Sequence, residues 1–145
     1  MSALSGKSDS PHAVARPRLI LADDRPEIIE ELYILIGNEF EITCSVSDGS
    51  ELLKAVIELN PDVVITDVYM PGIDGIEAST RILKQAPNTV ILMLSMHNEP
   101  SLVAKALAHG VRGYVLKLDA GEELGPAIWT VLKGGVYLSR SIRKV

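Results

Sequence analysis

Five short apolar runs alternate along the chain with five longer stretches in which apolar residues recur at helical spacing. The runs cover residues 19–22, 41–46, 63–66, 90–94 and 114–116. Three of them are almost wholly apolar, which is typical of strands buried on both faces of a parallel sheet. A strand–helix alternation repeated five times predicts an α/β fold with right-handed crossovers and helices on both faces of the sheet.

The stretches between the runs predict five amphipathic helices. The residues expected on the inner face of each helix follow helical spacing: Ile28, Leu32 and Leu35; Leu52, Leu53, Val56 and Ile57; Ile76, Ser79 and Leu83, with Ile82 beside them; Leu102, Val103, Ala106 and Leu107; Leu124, Ile128 and Val131. Pro61 and Pro87 should end the second and third helices, and Gly110 and Gly134 suit the ends of the fourth and fifth. Pro126 interrupts the fifth pattern, so we expect a kink there or a helix that starts afresh.

Polar side chains follow four of the predicted strands. Asp23 and Asp24 end the first, Asp67 the third, Ser95 the fourth and Lys117 the fifth. In such sheets the carboxyl ends of the strands gather at one edge, where function concentrates. Three carboxylates there would repel each other unless a hard divalent cation such as Mg²⁺ lay among them. Taken singly, each aspartate is better explained as a loop cap, and the lysine as a surface residue.

Composition excludes several classes of function. The chain has 145 residues, enough for one domain, and a formal net charge of −5, which argues against direct binding to nucleic acid. No apolar run is long enough for a membrane span. The single cysteine, Cys44, favours a reducing, cytoplasmic setting and a structural role. Residues 1–17, rich in Ser, Ala and Pro, predict a disordered N-terminal tail.

Four segments, residues 19–24, 63–77, 91–97 and 110–117, resemble the receiver domains of two-component response regulators. The resemblance extends over nearly the whole chain after residue 17. The family has a flavodoxin-like (βα)5 fold with a doubly wound, five-stranded parallel sheet in the order 2-1-3-4-5. The segments LSMHNE, AGEEL and GGVYLS are similar to the NarL/FixJ subfamily, whose members carry a C-terminal helix-turn-helix of the LuxR type.

The resemblance also implies a role for each site residue. Asp67 matches the phosphoacceptor, and Asp23 and Asp24 match the acidic pair that holds Mg²⁺ or Mn²⁺ together with Asp67 and the backbone carbonyl of Tyr69. The residues expected to contact the phosphoryl group or to switch with it are Ser95, Lys117 and Tyr114. Tyr69 and His97 match positions that line the path of water to the phosphoryl group, and we expect them to slow its hydrolysis.

The resemblance implies a switch rather than an enzyme, phosphorylated by a sensor histidine kinase. We expect a receiver at residues 18–138 and the start of a linker at 139–145, leading to a DNA-binding domain absent from this chain. An excised receiver is favoured over one that acts alone. A homodimer through helices 1 and 5, or through the face of helix 4, strand 5 and helix 5, is possible. The active state, with Tyr114 turned inward, is expected to be the minor one.

Three other functions fit the residues less well. An aspartyl-phosphate phosphatase needs a second acid two positions after its nucleophile, where this chain has Tyr69. A flavin-binding module needs a phosphate loop rich in Ser, Thr and Gly after the first strand, where this chain has the acidic Asp23 and Asp24. A degenerate receiver that serves only as a scaffold would not need the complete set of acids.

Overall fold

The computed structural model describes residues 15–143, in which strands and helices alternate as the sequence predicts. The elements are β1 (Arg18–Ala22), α1 (Pro26–Ile36), β2 (Glu41–Val46), α2 (Gly49–Leu59), β3 (Val63–Thr66), α3 (Gly75–Gln85), β4 (Val90–Ser95), α4 (Pro100–Ala108), β5 (Gly113–Leu116), a 3₁₀ turn (Lys117–Asp119), α5 (Ala120–Leu132), β6 (Tyr137–Leu138) and α6 (Arg140–Arg143). The predicted tail lies outside the described residues as far as position 14.

The strands form one parallel sheet in the order β2-β1-β3-β4-β5-β6. This confirms the predicted order 2-1-3-4-5 and adds a sixth strand on the outer side of β5. The sixth strand was not predicted because it has only two residues, too few to show a period. Its pairing with Gly113 and Tyr114 is a tertiary contact that the local sequence does not encode.

Helices cover both faces of the sheet, and alternate strand residues point to opposite sides. Leu19 and Leu21 of β1 pack in the cluster that contains the buried residues of α1 and α5. Ile20 and Ala22 pack in the other cluster, beneath α2, α3 and α4. The continuous apolar runs of the sequence are explained by this double burial.

Helix ends follow the predicted turn chemistry. Asn60 is the C-cap of α2 in the left-handed conformation, directly before Pro61, and α3 ends at Gln85, two residues before Pro87. Gly110 and Gly134, just beyond α4 and α5, have φ values of +95° and +92°, which glycine adopts without steric cost.

Two of the predicted inner-face positions were wrong. Leu35 is 42% exposed and Ile57 is 59% exposed, whereas Ile36 faces the core in place of Leu35. A period read without knowing the helix start misplaces the inner face by one position. Helix α5 is continuous through Pro126, which lies on its exposed side, so the helix does not start afresh there, and the kink stays a prediction.

The segment expected to begin a linker is instead folded as far as Arg143. Residue Ser139 is fully buried, and Ile142, in α6, packs in the cluster beneath α4. Trp129 also packs at the rim of the core, since its ring centroid lies 5.2 Å from that of Phe40 and its Nε1 donates to Glu39 Oε2 at 2.6 Å. None of the helices between residues 15 and 143 has the length and apolarity needed to cross a bilayer.

Candidate functional site

The register of the sheet brings the four polar strand ends to one edge. Ala22 pairs with Thr66, and Ser95 pairs with Leu116, so the residues that follow lie side by side. Carboxylate oxygens of Asp23, Asp24 and Asp67 all lie within 4.8 Å of one another. Asp23 and Asp67 are buried, whereas Asp24 is exposed.

The backbone around Asp67 is fixed from three directions. Asp67 N–H donates to the Ala22 carbonyl at 2.9 Å, and one carboxylate oxygen of Asp67 accepts from Val68 N–H at 2.7 Å. Gly75, the first residue of α3, donates from its N–H to the Val68 carbonyl at 2.6 Å. A Cβ at Gly75 would collide with the Asp67 carbonyl oxygen, so only glycine allows this close approach.

Lys117 joins the two buried acids. Its Nζ lies 2.9 Å from Asp23 Oδ2 and 3.2 Å from Asp67 Oδ2, and its side chain is only 12% exposed. Burial raises the pKa of the Asp23 carboxyl above its ordinary value, although hydrogen bonds from Lys117 and from Arg25 N–H oppose the rise. The protein interior thus disfavours the charged form of Asp23, which a nearby cation would favour.

This donor set fits a hard divalent cation. Two carboxylates with oxygens within 4.8 Å repel each other by at least about 3.5 kcal/mol at an effective dielectric constant of about 20, and one ammonium cannot neutralise three carboxylates. Carboxylate oxygens in a partly open site are the ligands that Mg²⁺ prefers, with water completing its shell. Asp23, Asp24 and Asp67 could hold the cation. The carbonyl of Tyr69, two residues after Asp67, remains a predicted ligand.

Ser95 and Tyr114 meet at the backbone of His97. The Ser95 hydroxyl accepts from His97 N–H at 3.0 Å, and the Tyr114 hydroxyl donates to the His97 carbonyl at 2.7 Å. Tyr114 is fully buried, and burial raises the pKa of its phenol. The structure thus shows the inward position of Tyr114, the state expected from the sequence to be the minor one.

Two side-chain contacts that join neighbouring loops lie beside the acids. The Tyr69 and His97 rings meet edge to face with centroids 4.9 Å apart. Arg25 Nη1 lies 3.1 Å from Met96 Sδ. The sequence drew attention to the first pair, and it gave no reason to single out the second pair or Gly75.

Comparison with known proteins decides the family. Residues 19–128 match the profile of the response regulator receiver domain. The chain belongs to this receiver family. Receivers with similar sequences include that of the transcriptional regulatory protein DegU from Brevibacillus brevis, which is 31% identical over 123 residues, covering 83% of this chain and 52% of DegU. The chain spans about half the length of the curated relatives it matches.

Solved structures place this receiver among the LuxR-type response regulators. A LuxR-family two-component response regulator from Aurantimonas superposes with a TM-score of 0.85 at 31% identity, covering 90% of this chain and 94% of the other. An RcsB protein, solved as two dimers bound to two parallel DNAs, gives a TM-score of 0.82 at 27% identity, covering 89% of this chain and 67% of the other. The flavodoxin-like receiver fold is thereby confirmed.

Proposed function

We propose that this receiver is a phosphorylation-operated switch whose Asp67 accepts a phosphoryl group from a sensor histidine kinase. The observation that carries the proposal is the position of Lys117, whose ammonium lies within 3.2 Å of both Asp23 and Asp67 inside the acidic cluster. A buried ion pair of this kind is often no more stabilising than well-packed apolar residues of similar volume in its place, so a role in handling an anion is the better explanation.

The side chains have distinct tasks in the transfer. Val68 N–H and Lys117 hold the Asp67 carboxylate in one orientation. An oxygen of Asp67 forms a bond to phosphorus while the phosphorus–nitrogen bond of the kinase phosphohistidine breaks, and the electron pair returns to the imidazole. Lys117 then pairs with an oxygen of the phosphoryl group. Mg²⁺ held by Asp23, Asp24 and Asp67 would neutralise charge on the phosphoryl oxygens.

The modified state changes what Ser95 and Tyr114 bind. A phosphoryl group adds charge and strong acceptor oxygens, so the Ser95 hydroxyl can leave His97 N–H for one of them. The inward position of Tyr114 is then stabilised, and the surface around β5 responds. We propose a switch and not an enzyme, because the second acid of aspartyl-phosphate phosphatases is replaced by Tyr69.

The output of the switch is proposed to be transcription. The relatives include a transcriptional regulatory protein, and RcsB dimers have been solved on DNA. With a net charge of −5, this chain would reach DNA through a LuxR-type domain outside it, in the bacterial cytoplasm. A receiver that acts alone through protein contacts is the alternative.

A homodimer of this receiver fits α1 and α5 better than the face of α4, β5 and α5. An apolar groove of about 320 Å³ between the two helices includes Ile28, Leu32 and Ala120. Ile34 beside it is 82% exposed. Size-exclusion chromatography with light scattering tests this face, since Ile34→Glu should abolish a dimer that forms there.

Incubation with acetyl phosphate and Mg²⁺, followed by intact-mass measurement, tests the phosphoacceptor. We expect one added phosphoryl group on the parent and none on Asp67→Asn. Asp62→Asn, at an exposed aspartate at the opposite ends of the strands, is the matched control and should be modified like the parent. Modification of Asp67→Asn at the parent rate would overturn the proposal.

A further inference from the structure

The chain after α5 returns to the site instead of leaving the domain. Tyr137–Arg143, here called the C-terminal segment, comprises β6, Ser139 and α6. Its strand pairs with β5, the strand that carries Tyr114 and leads into Lys117. The phosphoryl transfer proposed for Asp67 assigns no task to this segment.

Ser139 binds β5 at two points. Its N–H donates to the Tyr114 carbonyl at 3.0 Å, and its hydroxyl oxygen accepts from Leu116 N–H at 3.0 Å. Ser139 is fully buried, so water cannot replace these bonds. Leu116 directly precedes Lys117, and the Ser139 side chain therefore fixes the backbone from which the lysine projects.

A second connection holds the other side of Lys117. Asp119 ends the 3₁₀ turn that begins at Lys117, and its carboxylate accepts from Ser141 N–H at 3.0 Å and from the Ser141 hydroxyl at 2.9 Å. Burial would raise the pKa of Asp119, but hydrogen bonds from Ser139 and Ser141 outweigh it and hold the pKa below its ordinary value. Lys117 is thus flanked on both sides by bonds to one segment.

A third contact of the segment does not reach Lys117. The Tyr137 hydroxyl donates to Glu123 Oε1 at 2.7 Å, on the first turns of α5. Removing this hydroxyl disturbs the same segment and leaves the bonds to Leu116 and Asp119 in place. Tyr137 therefore offers a control within the segment itself.

We propose that Ser139 is a positioning residue for Lys117, and that the C-terminal segment is a working part of the phosphoacceptor site. For phosphoryl transfer, this rests on the proposed function of Asp67. For the placement of the lysine, it rests on the hydrogen bonds alone. Any movement of β5 that accompanies phosphorylation is then transmitted directly to the C-terminal segment.

The placement of Lys117 has two measurable effects of opposite sign. Its ammonium repels a divalent cation held by Asp23 and Asp67, so a displaced lysine should strengthen the binding of Mg²⁺. The same displacement removes a donor for the phosphoryl group, and a misplacement of about 1 Å can slow a reaction by up to about 100-fold. General damage to the fold would weaken both instead.

The test compares the parent with Ser139→Ala, Ser141→Ala and Tyr137→Phe. Calorimetric titration gives the affinity for Mg²⁺, and intact mass gives the rate of modification by acetyl phosphate. We expect Ser139→Ala to bind Mg²⁺ about three- to ten-fold more tightly and to be modified at least about ten-fold more slowly. Ser141→Ala, at a half-buried position, should shift both in the same directions by less. Tyr137→Phe should stay within about two-fold of the parent, because Lys117 keeps its support.

The two proposals fail in different ways. A parent that binds Mg²⁺ but takes no phosphoryl group refutes the phosphoacceptor, while the Mg²⁺ affinities still decide the role of Ser139. Affinities of Ser139→Ala and Ser141→Ala equal to that of Tyr137→Phe would overturn the positioning role. If Ser139→Ala does not fold, Ser141→Ala decides alone.

Discussion

Replacing Lys117 with Met should make the fold depend on a divalent cation. At an effective dielectric constant of about 20, the contacts of 2.9 Å and 3.2 Å with Asp23 and Asp67 are each worth about 5 kcal/mol before desolvation of the ammonium is subtracted. Removing one partner of a buried pair costs about 3–5 kcal/mol, because the remaining charge is left uncompensated. Protonation of Asp23, whose pKa is already raised, would relieve part of this. We therefore expect a loss of about 3 kcal/mol.

For a domain of this size, that loss lowers Tm by about 10 °C. Thermal unfolding followed by circular dichroism, with a chelator and then with excess Mg²⁺, measures it. The cation should raise the Tm of Lys117→Met by more than that of the parent, since it replaces the missing positive charge. Lys133→Met, an exposed lysine beyond α5, is the control and should change Tm little. Equal stability of Lys117→Met and Lys133→Met without Mg²⁺ would refute the reasoning.

Four further outcomes are expected. In the metal-free protein, Asp67→Asn removes two repulsions of at least about 3.5 kcal/mol each, from Asp23 and Asp24, and one attraction of about 5 kcal/mol to Lys117, and it keeps an acceptor for Val68 N–H, so it should stabilise the fold by about 1–2 kcal/mol in urea unfolding. Gly75→Ala should destabilise by about 1–3 kcal/mol and weaken Mg²⁺ binding in calorimetry, because its Cβ meets the Asp67 carbonyl. The pKa of Asp119 is lowered in the folded state, so the contribution of its carboxylate to stability is complete above the ordinary pKa of 3.8. That contribution disappears as the pH falls through the lowered pKa. The urea midpoints of the parent and of Asp119→Asn should therefore differ at pH 7 and converge in acid. Tyr69→Ala and His97→Ala should shorten the lifetime of the phosphoryl group, timed by intact mass, because the two rings pack against each other near Asp67; unchanged lifetimes would remove their shielding role.

The fold was predictable because its information is local and repeated. Strands buried on both faces leave continuous apolar runs, and each helix keeps a period that survives small errors of phase. The errors at Leu35 and Ile57 arose where that phase was off by one position. Neither β6 nor α6 could be predicted, since each is too short to carry a period. Both elements are held in place by contacts of Ser139 and Ile142 with parts of the fold that lie far away in the sequence.

Part of the site was predictable for a similar reason. Residues that follow parallel strands meet at one edge, so the order of the strands along the chain is enough to group Asp23, Asp67 and Lys117. The role of Gly75 could not be found in this way, because it depends on how closely α3 approaches the Asp67 carbonyl. The inward position of Tyr114 depends on a hydrogen bond to the His97 backbone, which no side-chain pattern reveals.

The short strand β6 also has a consequence for how the molecule behaves in a crowded solution. It and the residue after it cover the outer side of β5: Tyr137 N–H donates to the Arg112 carbonyl, and Ser139 binds the Tyr114 carbonyl and the Leu116 N–H. Without it, these groups would form an open strand edge on which another chain could build. Two paired residues are too few to offer such a template in turn. A fragment cut before Tyr137 would therefore be expected to self-associate through β5, and expression of this receiver should include the residues through Arg143.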